Sequence, residues 1–273
     1  LFFVFFTVNL DFDRIAIPFR MQPGLRRLEA GAPQLTPLAT DSALFEEKRR
    51  VVAAGASRLA VAGFDPAPAL SAIAAQARAQ GCAMAADLPV ELAFEEDFAV
   101  LDGDTGTLPW LCVCVPSHWA PEEKLGLDFA ALHAPVADNA ALVAASRPLV
   151  KLATSGERWE RSVWTISPSA RYDQHPRRHG RTPWPQTTDA QAFASQCFLR
   201  AERQSFFPVG QGTRQAVFTI RVMLQPLAEA VAQREHAAAL HAAIASMTPA
   251  VLEYKGLAAA REPLLAWLAL RMR

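Results

Sequence analysis

The chain has 273 residues, 51% hydrophobic and 20% charged, and its 27 Lys and Arg offset 27 Asp and Glu. That composition supports a buried core and excludes a disordered tail. The zero net charge excludes the broad cationic field that draws a protein to nucleic acid or to an anionic membrane. Six Trp and 16 Phe against 2 Tyr favour apolar, pocket-forming aromatics over a stacking platform.

The opening run LFFVFFTVNLDFD is too short to span a bilayer. It has no basic n-region and no A-x-A site, which argues against a secretory signal. It is expected to form a first strand or a packed arm, and the missing initiator Met is read as a trimmed or misassigned start. IPFRMQPGLRRL (17–28) is a loop punctuated by Pro and Gly. TDSALFEEKRRVVAA (40–54) predicts a helix capped by Thr40 or Asp41. PAPALSAIAAQARAQG (66–81) predicts an Ala-rich helix, with Pro at its start and Gly81 at its end. In FEEDF, the carboxylates Glu95, Glu96 and Asp97 read as a helix start or a solvated edge, with an acid cluster as the alternative.

WLCVCV (110–115) is apolar at every position and predicts a central strand. Cys112 and Cys114 would then point to one face. With Cys82 and Cys197 they make four cysteines and no C-x-x-C pair, so reduced core thiols of a cytosolic protein are expected. PSHW (116–119) is a corner, and DFAALH (128–133) predicts a short helix stopped by Pro135. AALVAASRPLVKLA (140–153) is helical and bent or broken at Pro148, and ERSVWTIS (160–167) alternates as a strand. Residues 171–189 look like a long basic surface loop. FLRAERQSFFPVGQGTRQAVFTIRVML (198–224) predicts a β-hairpin around VGQG. A long helix over 226–247 and two further helical segments close the chain. Strands and helices do not alternate regularly, so the expected class is α+β with a small, mostly antiparallel sheet.

The common local signatures for dinucleotide, P-loop, esterase and zinc-protease chemistry are absent from the sequence. His175 and His179 are four apart, but Pro176 and Gly180 in HPRRHGR argue against a helical metal pair and for a solvated loop. His236 and His241 fall on different faces of the last long helix, and His118 sits at a strand end. By pattern alone, His133 reads as a satisfied core histidine or a ligand. The hairpin's first strand puts Arg200, Glu202 and Gln204 on one face. Glu202 is either ion-paired there or turned to a pocket to receive a cation.

The string FLRAERQSFFPVGQGTRQAVFTIRVMLQPL resembles the haem-dependent oxidative N-demethylases, whose characterised members are dimethylamine monooxygenase catalytic subunits. PFRMQPGL, EEDFAVL, VPSHWAPEEKLG, LHAPV, RWERSVWTI, YKGL and LLAWL follow the same family in order, from about residue 18 onward. The resemblance implies a single haem-binding domain over 1–273, a PAS-like antiparallel sheet with additional N- and C-terminal helices. Haem b would lie between sheet and helices, with His133 as axial iron ligand and His118 next in line. Arg200, Arg203 and Arg221 become candidates for the haem propionates, and Glu202 for a catalytic contact to the amine. The implied reaction is oxidative N-demethylation of a small secondary amine with O2, releasing formaldehyde. Its electrons would come from a separate reductase carrying NADPH, flavin and iron–sulfur sites. A haem-binding PAS-type sensor or carrier without turnover is the alternative, and a scaffold that has lost haem is a third.

Overall fold

A computed structural model describes residues 10–82 and 88–273. The apolar start expected as a strand or arm lies, for residues 1–9, outside the described residues. The described chain is α+β. Its strands are β1 (Arg26–Arg27), β2 (Arg58–Ala60), β3 (Glu96–Asp102), β4 (Trp110–Cys112), β5 (Trp159–Ser167), β6 (Phe198–Pro208) and β7 (Gln215–Pro226). They form one seven-stranded sheet in the order β1-β5-β6-β7-β3-β4-β2, with every pairing antiparallel. The helices before β5 are α1 (Ala43–Ala53), α2 (Ala67–Ala79), α3 (Val90–Ala93), α4 (Phe129–His133), α5 (Ala140–Ala144) and α6 (Ser146–Ala153). After it come α7 (Ala190–Ala194), α8 (Leu227–Ala230), α9 (Arg234–Ala245), α10 (Pro249–Tyr254) and α11 (Arg261–Arg271). None of these helices is long and apolar enough to cross a membrane.

The β6–β7 hairpin is the centre of the sheet. Its register pairs Arg200 with Leu224, Glu202 with Val222 and Gln204 with Ile220, so the three polar residues do share a face. The opposite face carries Leu199, Ala201 and Met223 into a core with α7 to α11, and Phe207 and Val217 into a second core with α2 and α3. On the Glu202 face, Ile220 and Val222 pack against α1, while Phe206 and Ala216 join the cluster that includes Val150 and Ala153 of α6.

Several expectations change. Ser42, not Thr40 or Asp41, caps α1, its hydroxyl accepting the Phe45 N–H at 3.1 Å. Cys112 and Cys114 do not share a face. The strand ends at Cys112, alternation stops there, and the two thiols enter different clusters. The helix expected over 226–247 breaks into α8 and α9; Val231 between them is buried, and His236 Nδ1 takes up the Ala230 carbonyl freed at the break. Residues 171–179 are not a loose surface loop. Asp173, Gln174 and His175 are buried, and the Glu47 carboxylate accepts the backbone N–H groups of Tyr172 and Asp173.

The acidic run departs furthest from its reading. Glu96 and Asp97 are neither a helix start nor a solvated edge but buried positions at the start of β3. Lys48, fully buried on α1, lies 3.0 Å from Asp97 and donates to the carbonyls of Phe94 and Glu96. Asp97 in turn accepts the Val115 N–H at 2.8 Å, which fixes the chain just ahead of the PSHW corner. An ion pair this deep needs those extra bonds to offset its desolvation.

Glu96 has less support: Oε2 accepts the Thr36 N–H at 2.9 Å, but Oε1 is buried with no partner among the described residues. Burial pushes its carboxyl from the ordinary 4.5 up to about 7, against the pull of the Thr36 N–H and Arg221. A pKa raised on folding gives stability that is present below the unfolded value and lost as pH rises through the folded one. As pH rises from about 4.5 through 7 this group should therefore come to cost the fold roughly 3 kcal/mol. Glu96→Gln is expected to melt above the parent at pH 8 and to converge with it near pH 5. Parallel melting curves for the two proteins across that range would contradict the assignment.

Candidate functional site

The register of β5 against β6 extends the polar face of the hairpin. Trp159 lies opposite Phe206, Arg161 opposite Gln204, Val163 opposite Glu202 and Thr165 opposite Arg200. These are inner positions of a sheet, yet Trp159, Arg161, Val163, Thr165 and Gln204 are only half-buried. The described residues thus leave this strip only partly covered. Its apolar end is aromatic, with the Phe206 and Phe218 rings stacked 4.7 Å apart. Its polar end is a network around Glu202.

Glu202 is 8% exposed and Arg200 1%. The two do not meet directly. Ser117 Oγ donates to Glu202 Oε1 and accepts from Arg200 Nε at 2.8 Å, while Gln204 Nε2 donates to Glu202 Oε2 at 2.7 Å. The other N–H groups of Arg200 go to the carbonyls of Arg171, Val115 and Tyr172. Burial brings the Arg200 guanidinium down to about 10, with Glu202 opposing. Arg200 is thus spent on holding two loops to the sheet.

Arg161 is different. Its Nε is buried and has no partner among the described residues. Burial lowers its pKa, against the attraction of Glu202 and Tyr254. Lys255 stands nearby, donating to the Trp164 carbonyl at 2.5 Å and lying 5.1 Å from the centre of the Phe19 ring. Burial brings its ammonium down to about 8, with Glu202 opposing and Arg161 adding to the shift. The Tyr254 hydroxyl is pushed up by burial and by Glu202. Glu202, Arg161, Tyr254 and Lys255 therefore sit in one another's field, with more positive than negative charge among them.

His133 approaches from α4. Asp128 caps that helix by accepting the Ala131 N–H at 2.8 Å, and Asn139 Nδ2 closes its far end on the carbonyls of His133 and Ala134. The ring stacks on Phe129, centroids 4.0 Å apart. Nδ1 donates to the Phe129 carbonyl at 2.7 Å, so the lone pair of the neutral ring falls on Nε2, which has no partner among the described residues. Burial depresses the imidazole's pKa and the charges of Arg161 and Lys124 add to it, against the Phe129 bond. A neutral imidazole with a fixed Nδ1–H and an open Nε2 is the form that ligates a metal.

The charge of Arg161 acts on both His133 and Glu202, and the Phe129 ring on which His133 stacks packs with Trp159, Phe206 and Phe218 of the same strip. The structure does not bring Arg203 or Arg221 there. Both alternate onto the opposite face, where Arg203 pairs with Glu160 at 2.8 Å and Arg221 with Glu95 at 2.6 Å. His118 has a φ of +61° and is solvent-exposed as a residue, while partial desolvation of its imidazole and the charges of Arg181 and Arg200 lower it to about 4. It lines a small polar pocket with Ser169, Gln174 and His179. His175 and His179 form no metal pair: they hydrogen-bond Glu122 and Asp173 respectively. Among the described residues no cluster of His, Cys, Asp and Glu is arranged to hold a metal ion.

Sequence reasoning missed Arg161, Ser117, Tyr254 and Lys255. For Arg161 the signal was present. The two-residue period of WERSVWTI puts it on one face with Trp159 and Val163, and only the pairing with β6 says that this is the Glu202 face.

No curated protein matches the chain. The family model for haem-dependent oxidative N-demethylase, alpha subunit-like, matches residues 87–265, a span that holds His133, Arg161, Ser117, Glu202 and Lys255. That match covers well over half of the sequence, and the chain belongs to the haem-dependent oxidative N-demethylase, alpha subunit-like family.

Proposed function

We propose that this chain binds haem b on the half-covered strip of β5 and β6 and oxidatively demethylates a small secondary amine of the dimethylamine type. The observation that carries the reading is the pair formed by an open, neutral His133 Nε2 and the half-buried Arg161, whose buried Nε has no partner among the described residues. One is a normal axial ligand and the other is a cation awaiting a carboxylate such as a propionate. The aromatic end of the strip, Trp159, Phe206 and Phe218, suits the flat apolar body of a porphyrin. The donor set therefore fits the group named by the family. Arg161 replaces Arg203 and Arg221 as the propionate candidate, because those two already have carboxylate partners.

When bound, the haem supplies dioxygen activation: with O2, two electrons and two protons, an N-methyl carbon gains a hydroxyl and one water leaves. The resulting carbinolamine breaks its C–N bond to give formaldehyde and the shorter amine. The residues of this chain bind and orient. His133 anchors from α4. Glu202, with each oxygen already receiving one neutral donor, keeps lone pairs free to accept the amine N–H. Tyr254 and Lys255 close the same end. The two electrons come from a separate partner carrying NADPH, flavin and iron–sulfur sites, which agrees with a family described as alpha subunit-like. In this reading the seven-stranded sheet and its helices act as one PAS-like haem-binding unit over 1–273, in the cytoplasm.

Glu202→Gln tests the substrate contact. Gln keeps size and an acceptor but loses the charge, so a charge-assisted bond of about 1.5–3 kcal/mol is lost. Dimethylamine titrated against the haem spectrum should bind on the order of ten- to hundredfold more weakly, with haem content unchanged. Parental affinity in a normally folded Glu202→Gln protein would return Glu202 to a structural role. Formaldehyde released in step with amine consumption separates the enzyme from a haem-binding sensor, which would bind and release nothing.

A further inference from the structure

We infer that Ser117 is the positioning residue that holds Glu202 available to the amine; the inference rests on the function proposed above. The proton assignment is forced. Arg200 Nε can only donate, so Ser117 Oγ accepts from it and must give its single proton to Glu202 Oε1. The hydroxyl thus stands between a buried guanidinium and a carboxylate on the same sheet face. It passes the polarisation of one to the other while preventing their direct ion pair. Gln204 secures the second oxygen in the same neutral way. Glu202 is bonded at both oxygens by groups without charge, and its own charge stays directed at the half-covered strip.

The corner that carries Ser117 is built to hold it there. The Val115 N–H is taken by Asp97 and the Val115 carbonyl by Arg200, and the Pro116 carbonyl accepts the Gln174 N–H at 3.1 Å. On the other side, His118 turns the chain with a φ of +61°, a left-handed conformation that residues other than glycine rarely adopt. A strained residue persists where its surroundings over-determine it, and such residues cluster at functional sites. The strain here adjoins the hydroxyl that donates to Glu202. Without that hydroxyl, Glu202 is free to swing onto Arg200 or Arg161 and is lost to the amine.

The test uses the haem-loaded chain and three variants. Ser117→Ala removes the hydroxyl, Ser117→Cys keeps the size with a weak donor, and Ser117→Thr keeps the hydroxyl. Dimethylamine is titrated against the haem absorbance of each, beside a melting curve. Ala and Cys should bind the amine about tenfold or more weakly with the ferric spectrum unchanged, and Thr should restore affinity to within about threefold of the parent. If Ala fails to fold, the comparison of Cys with Thr decides. Parental amine affinity in Ala or Cys, or equal weakening in Cys and Thr, overturns the positioning role while leaving the proposed function intact. A parent protein that takes up haem but shows no response to the amine overturns the proposed substrate, and this inference with it.

Discussion

Replacing His133 with alanine is expected to leave a folded chain that takes up haem weakly or not at all. His133 is half-buried at the end of the five-residue helix α4, outside the fully buried cores. That helix keeps its Asp128 cap and its Asn139 closure without the imidazole. The stability cost is therefore a surface-like one of about 1 kcal/mol. The cofactor loses its metal–nitrogen bond, and apolar contacts with one guanidinium remain. The check is haem content and the ferric spectrum after reconstitution. An unchanged spectrum would move the ligand elsewhere, first to His118, whose imidazole is also held neutral by partial desolvation and the charges of Arg181 and Arg200.

The second large effect separates two arginines that look alike in the sequence. Arg200→Ala should damage the fold. It strips hydrogen bonds from Ser117 and from the carbonyls of Val115, Arg171 and Tyr172, and removes the buried cation bridged to Glu202 through Ser117. Breaking a buried charged network costs about 3–5 kcal/mol. For a chain of this size that lowers Tm by on the order of 10 °C. Arg161→Ala should do the reverse. It deletes a buried N–H that has no partner among the described residues, so Tm holds or rises slightly, while haem affinity falls roughly tenfold with the loss of a guanidinium–carboxylate pair. Melting curves of the apo-proteins and haem titrations of both variants are the check. Weak haem binding by Arg200→Ala at parental Tm, with tight binding by Arg161→Ala, would exchange the two roles.

What could be read before folding was local. The hairpin over 198–224 declares itself through alternation and a Gly-rich turn, and α4 through Asp128 before an apolar run and Pro135 after it. His133 emerged from the family resemblance rather than from its own surroundings. The remainder depended on long-range partners. Glu96 and Asp97 read as exposed because nothing nearby in sequence announces Lys48, which approaches from α1 to pair with Asp97. The stretch from residue 171 read as solvated because its carboxylate partners, Glu47 for the Tyr172 and Asp173 N–H groups and Glu122 for His175, lie on other segments. Arg203 and Arg221 were grouped with Arg200 through the haem that the family resemblance implies, whereas the two-residue period of each strand sends them to the other face. Arg161 needed the β5–β6 register, which joins segments separated by a helix and an irregular stretch.

The central claim is that this sheet face holds haem through His133 and presents it to an amine. An absorbance spectrum of the purified chain, reconstituted with haem and read with and without dimethylamine, tests it most directly. The parent should develop a Soret band that shifts as dimethylamine is added, and His133→Ala should not. A parent chain that develops no Soret band with excess haem, or a His133→Ala protein with the parent's spectrum and the parent's amine response, would contradict it.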